Sequence, residues 1–85
     1  MNEERVAVTV DEVWPEDTDE EEAVVVDWFA SEGDRVEQGA TLCTIQVEKV
    51  DIDVPAPIAG VLDEIVVGED GVCRPGETVA WIRAG

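Results

Sequence analysis

Histidine and tyrosine are absent from these 85 residues, serine occurs once, at Ser31, and lysine once, at Lys49. Without histidine or tyrosine, and with one serine, the chain lacks the customary bases and nucleophiles of a self-sufficient active site. The two cysteines, Cys43 and Cys73, stand in no metal-ligand spacing, and no histidine is present to join them. They read as small buried hydrophobes. Positive charge is equally scarce: 5 Lys plus Arg face 22 Asp plus Glu, a formal net charge of −17. Such a surface repels phosphate backbones and anionic lipid heads, which excludes nucleic acid and membrane surfaces as partners. No apolar run approaches the roughly 18 residues of a membrane helix, and the start Met-Asn-Glu-Glu-Arg has no signal-peptide character. A cytoplasmic, reducing location is expected, in which a Cys43–Cys73 disulfide is not.

What the chain does contain is a compact β pattern. Hydrophobic residues make up 45% of it, rich in valine and poor in aromatics, a mix that favours strands. Its length fits one domain over residues 1–85, with residues 1–5 expected as a flexible start. The carboxylates are spread among periodic apolar runs except in the 11–22 segment, which is expected as an exposed acidic loop, mobile at low salt. Adaptation to a salty cytoplasm is the expected reason for so many carboxylates, because added salt shortens the range of their repulsion, and a docking surface for a basic partner is the alternative.

Period-two alternation places strands at 6–10, 23–29, 41–47, 50–54, 60–67 and 78–83, with short extended pieces near Val36 and Val72. Gly33-Asp34, Gly39, Pro55 to Pro57, Gly68 to Gly71 and Pro75-Gly76 mark the turns. A weak internal repeat appears when the chain slides by 37 positions. Glu32 then falls on Glu69, Gly39 on Gly76, Thr41 on Thr78, Leu42 on Val79 and Ile45 on Ile82. Two such halves packed face to face predict an all-β, flattened sandwich or barrel with approximate two-fold symmetry, burying Leu42, Ile45, Val79 and Ile82. Trp14, Trp28 and Trp81 are expected in core or edge packing with their N–H groups near a partner.

The single lysine lies in Ile45-Gln-Val-Glu-Lys-Val-Asp-Ile-Asp-Val54. A catalytic lysine needs its proton affinity lowered by burial or nearby cations, whereas Glu48, Asp51 and Asp53 favour the charged ammonium. Attachment makes a different demand: exposure on a rigid base. Val47, Val50, Ile52 and Val54 can anchor two strands by burial while Asp51 and Asp53 face water, leaving Glu48-Lys49 at a hairpin tip. Glu-Lys is not a pair that two-residue turns prefer, so turn chemistry alone would not locate this hairpin. Asp51 and Asp53 read as solvated carboxylates, Glu16 to Glu22 has no calcium-loop glycine, and Arg35 and Arg74 read as surface charges pairing locally.

Gln46-Val-Glu-Lys-Val50, followed by Asp-Ile-Asp-Val-Pro-Ala-Pro-Ile-Ala-Gly-Val61, resembles the lipoyl attachment segment of 2-oxo acid dehydrogenase complexes. Val26 to Gly39 and Pro75-Gly-Glu-Thr-Val79 extend the likeness over roughly residues 6 to 83. Gln46 and Val47 depart from it, standing where an acid and a small polar residue are common. The resemblance implies a barrel-sandwich hybrid with lipoate joined by an amide to Lys49, acting as a swinging arm that carries acyl groups. It further implies Glu48 as the acidic residue read by the modifying enzyme, Val50 as the hairpin flank and Gly39 as the turn glycine that positions the hairpin. A lipoate ligase or lipoyl transferase and the subunits of a 2-oxo acid dehydrogenase complex are the implied partners of a monomeric carrier, free-standing or part of an acyltransferase. It would be a substrate of enzymes, not a catalyst. Biotin carriers share the fold but typically flank their lysine with methionines, and the only methionine here is Met1; biotin on a carboxylase domain, or an unmodified adaptor, are the alternatives.

Overall fold

The computed structural model describes residues 4–84. Among the described residues eight strands follow one another: β1 (Arg5–Val8), β2 (Ala23–Trp28), β3 (Arg35–Val36), β4 (Thr41–Val47), β5 (Val50–Pro55), β6 (Gly60–Ile65), β7 (Val72–Cys73) and β8 (Ala80–Arg83). A single 3-10 turn, Asp11–Val13, interrupts the first connection. The strands form two four-stranded sheets, ordered β1-β8-β6-β3 and β5-β4-β2-β7, in which every pairing is antiparallel. The sheets face each other as a sandwich, and their hydrogen bonding does not close into a barrel.

Alternation along each strand sends one set of side chains into a shared core. Val8, Val25, Leu42, Ile45, Val54, Leu62, Val79 and Ile82 are all buried, as are Cys43 and Cys73. The four residues expected between the sheets from the repeat are among them. Trp28 packs against this core and donates its indole N–H to the Val67 carbonyl at 2.8 Å, while Trp14 donates to the Glu20 carbonyl at 3.2 Å. Both thiols are free.

The 37-residue repeat is written into the backbone. In β2 and β4, Val25 pairs with Ile45 and Asp27 with Thr44 across a bulge; in β6 and β8, Leu62 pairs with Ile82 and Glu64 with Trp81 across another. Every one of these positions maps onto its counterpart by the same offset. The loop bonds follow suit: Phe29 N–H to Leu42 O matches Val66 N–H to Val79 O, and Ala40 N–H to Glu37 O matches Glu77 N–H to Arg74 O.

The symmetry fails at one place. Strand β4 runs into β5 through a two-residue loop, whereas its counterpart β8 pairs with β1 at the far pole, where Ala84 N–H reaches Glu4 O at 2.8 Å. Residue 5, expected in a flexible start, belongs to β1, because Arg5 pairs with Arg83 in register and reaches Asp63 at 3.1 Å and Glu64 at 2.9 Å. Residues 1–3 of that expected segment lie outside the described residues. Strand β1 is also shorter than expected, since Thr9 and Val10 lead into the 3-10 turn.

Candidate functional site

The β4–β5 hairpin is built in register from Thr41↔Pro55 to Val47↔Val50, leaving Glu48 and Lys49 as its entire loop. A two-residue loop between twisted strands requires a left-handed residue, and Glu48 supplies it with φ of 56°. This is an uncommon conformation for glutamate, and it carries the turn that sequence preference alone would not place here. Lys49 follows, exposed, at the outermost point of the hairpin.

The base of this finger is rigid for identifiable reasons. Ile45, Val47 and Val54 are buried on its inner face, with Ile52 half-buried beside them. Gly39, with φ of +87°, donates its N–H to Ala56 O at 2.9 Å, and Ala56 N–H returns to Ala40 O at 2.8 Å. Gly39 therefore fastens the foot of the hairpin and lies far from its tip. A groove of about 520 Å³, lined by Thr9, Asp11, Glu12, Gly39 and Pro55 among others, runs along that foot.

Val50 departs from expectation. Its parity matches Ile52 and Val54, but it is 54% exposed, although its cross-strand partner Val47 is buried. Rigidity at the tip comes from Val47 and the strand pairing instead.

The acidic residues around Lys49 are each occupied by a neutral donor. Thr18 donates its hydroxyl to the Glu48 carboxylate at 2.7 Å, Gln46 donates its side-chain amide to Asp51 at 3.3 Å, and Thr44 donates to Asp53 at 3.3 Å. Among the described residues no ion pair forms to Lys49. Direct contact between the ammonium and its sequence neighbours, which proximity in the chain suggests, does not occur.

Thr18 belongs to the acidic 11–22 segment, which is thereby folded against the hairpin. Glu20 N–H closes a turn on Thr18 Oγ1 at 3.1 Å, and Glu22 pairs with Arg74. Arg74 also faces Glu77 at 3.9 Å, fulfilling the expected local pairing; Arg35 forms no ion pair among the described residues. The Thr18–Glu48 contact spans 30 positions, and no local pattern in the sequence announces it.

An exposed primary amine, at the tip of a two-stranded support and free of ion pairs among the described residues, suits covalent attachment through an amide. Comparison with known proteins points the same way. A family model described as "Biotin-requiring enzyme" matches residues 16–82. The chain belongs to this biotinyl/lipoyl attachment family. Within it, the chain is 32% identical over 63 residues to the dihydrolipoyllysine-residue acetyltransferase component of pyruvate dehydrogenase complex from Staphylococcus aureus, and equally so to that of Staphylococcus epidermidis. Those matches cover 74% of this chain but only 15% and 14% of the relatives, so the attachment domain spans a small part of their length. Its fold is similar to the solution structure of the lipoyl domain of the 2-oxoglutarate dehydrogenase complex from Azotobacter vinelandii, with a TM-score of 0.66, 23% identity and 95% of each chain covered. The barrel-sandwich fold expected from the sequence is thus the fold of this attachment domain.

Proposed function

We propose that this attachment domain is a lipoyl carrier, with lipoate joined by an amide to Lys49 and acyl groups carried on the cofactor's dithiolane within a 2-oxo acid dehydrogenase-type complex. The observation that carries the reading is the position of the only lysine in the sequence as the outermost loop residue of the β4–β5 hairpin. The names of the 32%-identical relatives favour lipoate over biotin. In this reading Glu48 is the acidic residue read by a lipoate ligase or lipoyl transferase, Val50 offers an apolar contact beside it, and Gly39 holds the hairpin at its foot.

The domain is then a substrate of partner enzymes, and its physical contribution is tethering. An acyl group on a flexible arm at a fixed anchor reaches neighbouring active sites at a high effective concentration. The bound dithiolane supplies the acyl-accepting sulfur; the hairpin supplies exposure and a defined origin for the arm.

Intact-mass measurement after incubation with a lipoate ligase, ATP and lipoate tests the assignment. A gain of about 188 Da, absent from Lys49→Arg, is the expected result, whereas about 226 Da on protein from its native cells identifies biotin. Unchanged mass with an active ligase and a lipoylated control domain overturns the lipoyl reading.

A further inference from the structure

We infer that Thr18 is a positioning residue for the acylation of Lys49: its hydroxyl turns the Glu48 carboxylate aside and leaves the neighbouring amine unpaired. The inference rests on the attachment reading of Lys49 and adds to it Thr18, a residue that the reading does not involve. Three carboxylates flank Lys49 within four positions, at residues 48, 51 and 53, and any of them near the ammonium would hold its proton. Each is instead engaged by an uncharged donor, from Thr18, Gln46 and Thr44 respectively.

Thr44 and Gln46 lie on β4, directly across from Asp53 and Asp51, so those two contacts follow from strand register. The contact to Glu48 does not. Glu48 is the lysine's immediate neighbour, it sits in the loop beyond the paired strands, and its partner comes from the distant 11–22 segment. Thr18 is itself held there, accepting the Glu20 N–H while Trp14 donates to the Glu20 carbonyl. The segment thus brings a hydroxyl to the one flanking carboxylate that the sheet cannot restrain.

The consequence lies in the chemistry of amide formation. The lone pair of Lys49 Nζ attacks the carbonyl carbon of an activated acyl donor; the N–C bond forms as the bond to the leaving group breaks. The leaving group departs with that electron pair, and the proton released from nitrogen passes to solvent. An ammonium held by a carboxylate has no lone pair to offer. Thr18 keeps Glu48 available for recognition by the modifying enzyme while removing it as a trap for the proton.

The test uses a small acylating reagent, the N-hydroxysuccinimide ester of acetate, on the unmodified chain at pH 8, following the Lys49 adduct by peptide mass. Thr18→Val keeps the shape and removes the donor, and it should slow acylation about two- to fivefold, the range of one exposed ion pair. Thr18→Ser should restore the rate, and Glu48→Gln placed in the Thr18→Val background should restore it as well. An unchanged rate in Thr18→Val, or a loss that persists with Glu48→Gln, overturns the inference. Because the reagent needs no ligase, these outcomes are independent of whether lipoate is the natural cargo. If wild type gains lipoate from a ligase but Thr18→Val reacts normally with the reagent, the carrier reading stands and the positioning role fails; normal Thr18 dependence with no lipoylation is the reverse case.

Discussion

Gly33 and Asp70 occupy the same place in the two halves of the domain. They lie 37 positions apart, both have positive φ, 95° and 70°, and each donates its N–H to the facing strand, to Leu62 O at 2.7 Å and Val25 O at 2.8 Å. One half solved the turn with glycine and the other with aspartate, which tolerates the left-handed region less well. Asp70→Gly is therefore expected to stabilise the fold by about 0.5–1 kcal/mol, after allowance for the extra freedom glycine has in the unfolded chain. Gly33→Ala should cost about 1 kcal/mol. Urea unfolding of both variants checks the pair, and opposite signs are the outcome the symmetry requires.

Gly60 is a glycine for a different reason. A Cβ built there would stand 2.3 Å from the Arg83 backbone oxygen and 3.0 Å from Ile82 Cγ2, and a backbone carbonyl in a paired strand cannot step aside. Its counterpart by the 37-residue offset, Ala23, carries a Cβ in a buried site without difficulty. Gly60→Ala is expected to lose about 2–4 kcal/mol, as overpacking against a fixed wall does. By contrast, Gly39 has open space at its Cβ position, so Gly39→Ala should cost only its backbone conformation, about 1 kcal/mol. Thermal unfolding followed by tryptophan fluorescence separates the two.

Burial pushes the Cys43 thiol from its ordinary 9.0 up to about 12, with the nearby Cys73 adding to the effect, and burial followed by the Glu77 carboxylate raises Cys73 as well. A raised value in the folded state means the native chain keeps a proton that the unfolded chain gives up. Stability from this source is complete below pH 9 and declines between pH 9 and 12, by up to about 1.4 kcal/mol per pH unit for Cys43. Urea midpoints measured from pH 7 to 10.5 should be flat and then fall. Cys43→Ala should be less stable at pH 7 but show a shallower fall, and a fall as steep as that of wild type would assign the alkaline loss to other groups.

The sequence exposed most of the sheet architecture because both of its signals are local. Alternating apolar residues mark each strand, and Gly33, Gly39 and Gly76 sit where the backbone adopts positive φ. The site was legible in part. Lys49 could be placed at a turn from the strands on either side, yet the burial of Val50 was misjudged because alternation assigns a face without saying whether another sheet lies opposite it. Val47 and Val50 are paired partners, one buried and the other 54% exposed. The Thr18–Glu48 contact was illegible for the reason that it joins a loop without periodicity to a turn 30 positions away.

The charge balance gives the last expectation. Of the five cations, Arg5 is committed to Asp63, Glu64 and the Trp81 ring, at 4.7 Å from the ring centroid, Arg74 to Glu22 and Glu77, and Arg83 to Asp63. Those pairs involve four of the 22 carboxylates, Asp63 being shared by Arg5 and Arg83, so negative charge dominates the surface. The Debye length falls from about 10 Å at 0.1 M salt to about 3 Å at 1 M, which weakens long-range repulsion more than the few short contacts. The thermal midpoint should therefore rise with KCl, by about 4–8 °C for each kcal/mol of repulsion relieved in a domain of this size. Choline chloride at equal ionic strength should give a similar rise if screening is the cause. A midpoint that stays level from dilute buffer to molar KCl would remove salt adaptation as the explanation of the acidic surface.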